Sequence, residues 1–347
     1  MSNAGKIGSL GRMVSCFALG IFAAIVLLGD FIAPYDHALQ SRSEPAAPPT
    51  RIHIVDESGE VRWPFIYRRS LVDPLARTFE DDRSESYDLT LFAIGDPYYL
   101  LGVVPARIHL FGVDQKGTGT PRVYLLGTDE LGRDRFSRII IATKFSLIVC
   151  PLGAILAGLI GVVIGLLSGY TNRTVDTILM GIADTMLSLP ALMIILTARA
   201  AFPLELPPVR AAGLLVMIFA LTGWAEFARL MRGLARSLKE REFVLAARSL
   251  GLTEIRIMVR HILPNALPTM LTQVLVMLPY FLLAEVALSF LGVGLQEPYP
   301  SLGNLLASAA DINRLQREPL LVLAPGFVIA TFVLTIRGLG AKSERVA

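Results

Sequence analysis

Residues 147–167 read LIVCPLGAILAGLIGVVIGLL, 21 residues without a charge. A helix rising about 1.5 Å per residue needs roughly 20 apolar residues to cross the hydrocarbon core of a bilayer, so this run predicts a membrane span. Working outward, 13–29, 211–225 and 319–336 are also uncharged, 177–197 holds only Asp184, and 266–296 holds only Glu285. Six spans follow. The fourth is short, and with Glu226 and Arg229 close behind it the helix is expected to run on into water. Composition agrees: the 347 residues are 53% hydrophobic and 18% charged, against about 25% charged in soluble domains. That balance argues against a soluble enzyme, a disordered chain and a disulfide scaffold; Cys16 and Cys150 both sit in apolar runs. A net charge of +3 supplies no field for nucleic acid.

Orientation follows from Lys and Arg in the short loops. With the N-terminus inside, Lys6, Arg12, Arg173, the eight cations from Arg229 to Arg260, Arg337, Lys342 and Arg345 make 14 inside, against Arg199, Arg210, Arg314 and Arg317 outside. Both termini are expected in the cytoplasm, and the first segment is expected to stay rather than be cleaved. The polar stretch between Tyr35 and Leu126 then falls outside. Alternation predicts short strands at 51–55, 60–67, 87–94, 107–113 and 122–126, with a turn at 56–59 and a loop holding Gly117 and Gly119. His53 and His109 are isolated and read as structural. The expected fold is an all-α polytopic membrane protein of six transmembrane helices with a small β-rich extracytoplasmic insertion between the first two. Its parts are 1–35 (N-terminus and first helix), 36–126 (insertion), 127–340 (core, with a cytoplasmic loop at 226–264) and 341–347 (tail).

Inside the spans, Gly161, Gly165 and Gly169 recur every four residues and form a ridge that lets another backbone approach, either this chain's own helices or a second subunit. Pro151, Pro190, Pro279 and Pro325 predict bends. Asp176, Asp184 and Glu285 are costly in a bilayer and so functional suspects, with a buried hydrogen-bonded role and substrate contact both open for Glu285. No G-x-x-x-x-G-K-[ST], H-E-x-x-H or G-x-S-x-G occurs, so no ATPase, metal-hydrolase or serine-nucleophile site is expected.

The most specific stretch is 224–264, WAEFARLMRGLARSLKEREFVLAARSLGLTEIRIMVRHILP. A short helix through Ala246 and Ala247 is expected to end at Gly251, with Thr253 as the next N-cap. Ile255, Met258, Val259 and Ile262 then share one apolar face, and Pro264 interrupts the helix before the fifth span. The loop suits either anionic lipid or a cytoplasmic protein. A second stretch, Gly127-Thr128-Asp129-Glu130-Leu131-Gly132-Arg133-Asp134 followed by Arg138, offers two turn glycines and an ion network of Asp129, Arg133, Asp134 and Arg138.

Residues 242–264 resemble the loop motif of ABC importer permeases, E-A-A-x-x-x-G followed by L-P. Ala246, Ala247, Gly251, Leu263 and Pro264 match, while Leu245 stands where the motif has Glu. GTDELGRD with Ser137-Arg138, AEVALSFLG at 284–292 and PSLGN at 300–304 resemble the peptide/nickel permeases, specifically the oligopeptide/dipeptide C-type subunit. The resemblance covers 122–340 well and 1–35 loosely. It implies a type I importer permease in a bacterial inner membrane. The implied partners are a second permease, two cytoplasmic ATPase subunits carrying ATP and Mg, an extracytoplasmic substrate-binding protein, and lipid, with no nucleic acid and no cofactor in this chain. It also implies an ATPase-coupling loop of Glu242, Phe243, Leu245, Ala246, Ala247, Arg248, Gly251, Leu252, Thr253, Leu263 and Pro264. The implied outer gate or receptor-facing set is Gly127, Thr128, Asp129, Gly132, Arg133, Asp134 and Arg138, with an interfacial helix cap as the plainer reading. An ion-coupled secondary transporter and a membrane-anchored sensor are the alternatives.

Overall fold

The computed structural model describes residues 3–56, 59–73, 77–113, 120–308 and 311–340. In chain order, α1 (Asn3–Ile32) is followed by β1 (His53–Val55), β2 (Val61–Asp73), β3 (Thr78–Asp88), β4 (Thr90–Leu91), β5 (Ile94–Leu100), β6 (Val104–Ile108) and β7 (Phe111–Gly112). Then come α2 (Arg135–Tyr170), α3 (Arg173–Ser188), α4 (Ala191–Ala200), α5 (Pro208–Lys239), α6 (Glu242–Ser249) and α7 (Glu254–Ile257). A π-helical turn (Met258–Ile262) leads into α8 (Leu263–Phe290), and α9 (Leu302–Ala307), α10 (Ile312–Arg317) and α11 (Pro319–Gly340) close the chain. The tail 341–347 with Lys342 and Arg345, the Glu57-Ser58 half of the expected turn and the loop with Gly117 and Gly119 lie outside the described residues.

Among the described residues four helices are long and apolar enough to span a membrane: Met13–Ile32, α2, α5 and the continuous run Glu254–Phe290. α3 and α4 together pass the same test but are bent by 87°. Among the described residues α11 adds an apolar run over Leu323–Leu339. By length and composition, four or five of the six expected spans are thus met among the described residues. The bend has a local cause. Leu189, ahead of Pro190, is extended at φ −88°, ψ 142°, because a residue before proline is sterically pushed out of the α region. At the other prolines the helix continues: α2 through Pro151, α8 through Pro268 and Pro279, and α11 through Pro325.

Pro264 does not interrupt its helix either. The π turn passes the Leu263 N–H to the Met258 carbonyl, five residues back. Pro264 follows directly as the second residue of α8, and the helix runs on through it. The wider turn also moves the buried face. Ile257 and Ile262 are buried, whereas Ile255 and Val259, expected beside Ile262, are exposed.

The chain separates into two compact units: Met1–Leu19, Ser146–Leu295 and Phe327–Ala347 form one, and Gly20–Phe145 with Gln296–Gly326 the other. In the first, the glycine ridge of α2 packs on this chain's own α5. A Cβ at Gly161 would stand 2.6 Å from the Trp224 carbonyl oxygen, one at Gly165 2.5 Å from that of Ala228, and one at Gly169 2.9 Å from the Ala235 Cβ. Phe219 of α5 stacks on Phe281 of α8 with centroids 4.6 Å apart.

In the second unit β1, β2 and β3 form an antiparallel sheet, β4 pairs with β7, and β5 with β6. Ile66, Val113 and Val123 make its small core. β2 and β3 run through 61–73 and 78–88, well past the expected 60–67. The expected strand at 122–126 is not one, since its backbone is spent elsewhere: the Val123 N–H donates to the Tyr35 hydroxyl at 2.7 Å and the Tyr124 N–H to Thr50 Oγ1 at 3.0 Å.

Candidate functional site

The stretch from Gly127 to Arg138 folds into a knot of side-chain-to-backbone bonds at the start of α2. Gly127 and Gly132 have φ of +67° and +72°, which glycine adopts without Cβ strain. Thr128 is buried; its hydroxyl donates to the Glu44 carbonyl at 2.6 Å and accepts from the Ala47 N–H at 2.8 Å. One Asp129 oxygen accepts from the N–H groups of Leu131 and Arg133 at 2.9 and 3.0 Å, and the other from Arg133 Nε at 2.7 Å.

The centre of the cluster is a residue the motif does not contain. Glu297 accepts from Arg133 Nη1 at 2.5 Å and from Arg138 Nη2 at 2.8 and 3.0 Å. Arg138 is buried and also donates to the carbonyls of His37 and Pro298 at 3.1 and 3.2 Å. Charge-assisted bonds of this kind are roughly twice as strong as neutral ones. Asp134 stands apart from the expected network and caps α2 instead: it accepts from the Ser137 N–H at 2.8 Å, while its other oxygen is buried without a partner. Burial lifts its carboxyl to about 6, only partly countered by the bonds from Ser137. Asp129, Arg133, Arg138 and Glu297 share a cleft of about 400 Å³ with Asn304 and Ser308, and Arg135 beside it pairs with Glu318 at 2.6 Å. Glu297 and Glu318 escaped the sequence reading; their signal was a single acid at the border of an apolar run.

The loop after α5 lies in the other unit. α6 ends in a Schellman turn: the Leu252 N–H donates to the Ala247 carbonyl at 3.2 Å and the Gly251 N–H to that of Arg248 at 3.0 Å, with Gly251 at φ +79°. Thr253 has the extended backbone of an N-cap, but its side chain makes no cap hydrogen bond. Across the turn Arg248 grips Glu254 with two bonds, at 2.8 and 3.0 Å, which raises the Arg248 pKa. Val244 and Ala247 point into the protein, and Leu252 and Leu263 are half-buried. Phe243, Leu245, Leu250, Ile255 and Val259 are exposed apolar side chains on the same loop. Glu242, Ala246, Thr253 and Pro264 are exposed beside them.

The acids in the spans are all engaged. Glu285 is buried and accepts from Ser146 of α2 at 2.8 Å and from Ser289 at 2.9 Å. Asp176 accepts from Arg232 and Arg236, each at 2.6 Å, and from the Ser168 hydroxyl. Asp184 pairs with Arg229.

A family model described as "Binding-protein-dependent transport system inner membrane component" matches residues 161–345. The oligopeptide transport system permease protein OppC of Bacillus subtilis is 35% identical over 181 residues, which is 52% of this chain and 57% of that protein. The dipeptide transport system permease protein DppC of Alkalihalophilus pseudofirmus is 35% identical over 222 residues, 64% of this chain and 70% of that one. The match to the first thus spans little more than half of its length. A solved structure described as an amino acid ABC transporter with histidines covers 61% of this chain and 95% of its own, at 20% identity and a TM-score of 0.45.

Proposed function

The chain belongs to the family of binding-protein-dependent transport system inner membrane components, and we propose that it is one of two permease subunits of an ATP-driven importer of type I architecture, carrying peptides or related small solutes. Two ATPase subunits with their ATP and Mg would sit in the cytoplasm under the 242–264 loop. A second permease would complete the path, and a substrate-binding protein would deliver the solute from outside. Both termini would then be cytoplasmic, 36–126 an extracytoplasmic insertion, and 127–340 the transport core. Peptides come into this reading from the names of the similar OppC and DppC proteins.

The observation that carries it is the 242–264 loop. Its turn is locked by backbone bonds and the Arg248–Glu254 pair, while Phe243, Leu245, Leu250, Ile255 and Val259 stay outward, an arrangement suited to a protein cleft. The loop is also mechanically continuous with the spans: Lys239 ends α5 three residues before α6 begins, and Glu254–Phe290 is one unbroken helix. A push at α6 therefore enters two long helices directly. The chain performs no covalent chemistry. Its work is to hold alternate openings of the path, which the ATPases bias by binding one of them better.

Gly251→Trp tests this. A Cβ at Gly251 meets nothing within 4 Å, so the variant should assemble and still permit ATP hydrolysis but lose uptake. Full uptake by the assembled variant would sink the proposal. An ion-coupled carrier predicts the reverse energy requirement, namely uptake abolished by a protonophore and indifferent to ATP depletion.

A further inference from the structure

The strand-rich stretch contains two hairpins of opposite chemistry. In the β2–β3 hairpin, β2 carries four charged residues and β3 six, as a hairpin in water should. Residues 94–108, the β5–β6 hairpin, read IGDPYYLLGVVPARI and contain two, Asp96 and Arg107. Asp96 is at its base, 3.8 Å from Arg122. At the tip Leu101 is 56% exposed and Val103 77%, with Tyr99 and Val104 also exposed on the flanking strands. Directly opposed residues share a face, and the register pairs Tyr99 with Pro105 and Leu100 with Val104, so both faces of the tip are apolar. A contiguous exposed apolar patch on a slender hairpin is what a soluble surface avoids.

The base shows what covers it. The Leu110 N–H donates to the Phe31 carbonyl at 2.9 Å, Phe92 stacks on Phe31 at 6.1 Å, and the buried His109 ring holds its nitrogens 2.6 Å from the Ala33 carbonyl and 2.9 Å from that of Asp96. Phe31 lies in the last turn of α1, so the hairpin is pinned where a membrane span ends. Leu27 and Leu28 of α1, Phe92 and Ile108 are exposed apolar side chains as well.

We propose that the β5–β6 hairpin is a membrane-interface anchor whose tip rests on the lipid beside the end of α1. From its pinned base the tip is about 20 Å of extended chain away. Tyr98 and Tyr99 are the residue type that populates the headgroup level, and Arg107 can keep its guanidinium in water while its stem lies on apolar surface. A two-stranded ladder has unpaired edges that hydrocarbon does not tolerate, which places the hairpin at the interface and not deeper; Pro97 and Pro105 remove two of those donors. The inference rests on α1 being a span and is independent of which side of the membrane the hairpin occupies.

The test is lipid-borne quenching of a fluorophore on the full chain, carrying Cys16→Ala and Cys150→Ala, in phosphatidylethanolamine–phosphatidylglycerol vesicles with and without brominated acyl chains. Labels at Leu101→Cys and Val103→Cys should lose about half their emission to brominated lipid and little to aqueous iodide, as for a segment at the acyl boundary. Glu85→Cys on β3 should show the opposite. Iodide quenching of Leu101 and Val103 with no lipid effect overturns the proposal, as does protection from both quenchers, which means that protein covers the tip. A Leu27→Cys label separates this from failure of the span itself: it reports lipid whenever α1 is inserted.

Discussion

Gly132 and Gly251 have nearly the same backbone, with φ of +72° and +79°, yet their surroundings differ completely. A Cβ added at Gly132 would come within 2.9 Å of the Ser41 backbone nitrogen and closer still to its carbonyl, whereas one at Gly251 meets nothing within 4 Å. The same contrast runs through the two regions that hold them. In the 127–138 knot Asp129, Arg133 and Arg138 are held within the cluster, the two arginines closing on Glu297. In the 242–264 loop Arg248 and Glu254 lock the turn while five apolar side chains, from Phe243 to Val259, face outward. The first behaves as an internal fastener, fixed by what it already touches, and the second as a surface shaped for something else. Substitutions should separate them, the knot failing in stability and the loop in coupling.

The largest difference is expected from the glycines. Gly132→Ala combines left-handed strain of order 1–3 kcal/mol with a backbone clash that no rotamer relieves, so it should cost more than about 3 kcal/mol. Gly251→Ala carries strain alone and should cost about 1 kcal/mol. Thermal unfolding of the detergent-purified chain reads both; equal losses would erase the distinction.

Next come the ion pairs. Glu297→Ala strands Arg133 and the buried Arg138 without their carboxylate. Removing one partner of a buried pair is strongly destabilising, and because Glu297 is itself half exposed the expected loss is about 2–3 kcal/mol. Arg248→Ala breaks an equally well-formed but solvated pair and should cost less than about 1 kcal/mol. Added salt should narrow the second effect and leave the first.

The glycines of the knot, its cations and the helix it opens were legible because they are contiguous. Glu297 was not, since it joins Arg138 across 159 positions and nothing local marks an acid that will be bracketed by two arginines. Charge-free runs located the helices well, and the bend at Leu189-Pro190 is the physics of a residue before proline. The π turn was hidden: a period of 3.6 placed Ile255 and Val259 with Ile262, and only the i−5 bond to Met258 explains why Ile257 is buried instead. The second half of β2 and most of β3 escaped because strand signals look for alternating apolar residues, and β3 has few.

Asp134 gives a smaller and pH-dependent effect. Its carboxyl, near 4 in an unfolded chain, titrates at about 6 in the fold. A carboxyl raised by folding stabilises the native state below its unfolded pKa, and that contribution is lost as pH rises through the folded one. Stability should therefore fall between about pH 4 and 6 by about 2 kcal/mol and then flatten for this group. Asp134→Asn keeps an N-cap residue and should match the parent at pH 4 but exceed it at pH 7.5. An unchanged pH slope in the variant would show that Asp134 is charged throughout.

The smallest effect on stability is the most telling for the loop. Leu250 is 79% exposed and Ile255 70%, so Leu250→Ser with Ile255→Ser buries nothing new and uncovers nothing, and unfolding should move by less than about 0.5 kcal/mol. If the outward apolar side chains seat in an ATPase subunit, the double variant should nevertheless lose most of its uptake, because such contacts carry energy only when the partner covers them. A double variant that is as stable as the parent and supports full uptake in the assembled importer would mean that this surface is wetted by solvent or lipid alone, and the contrast with the 127–138 knot would then be one of burial and not of purpose.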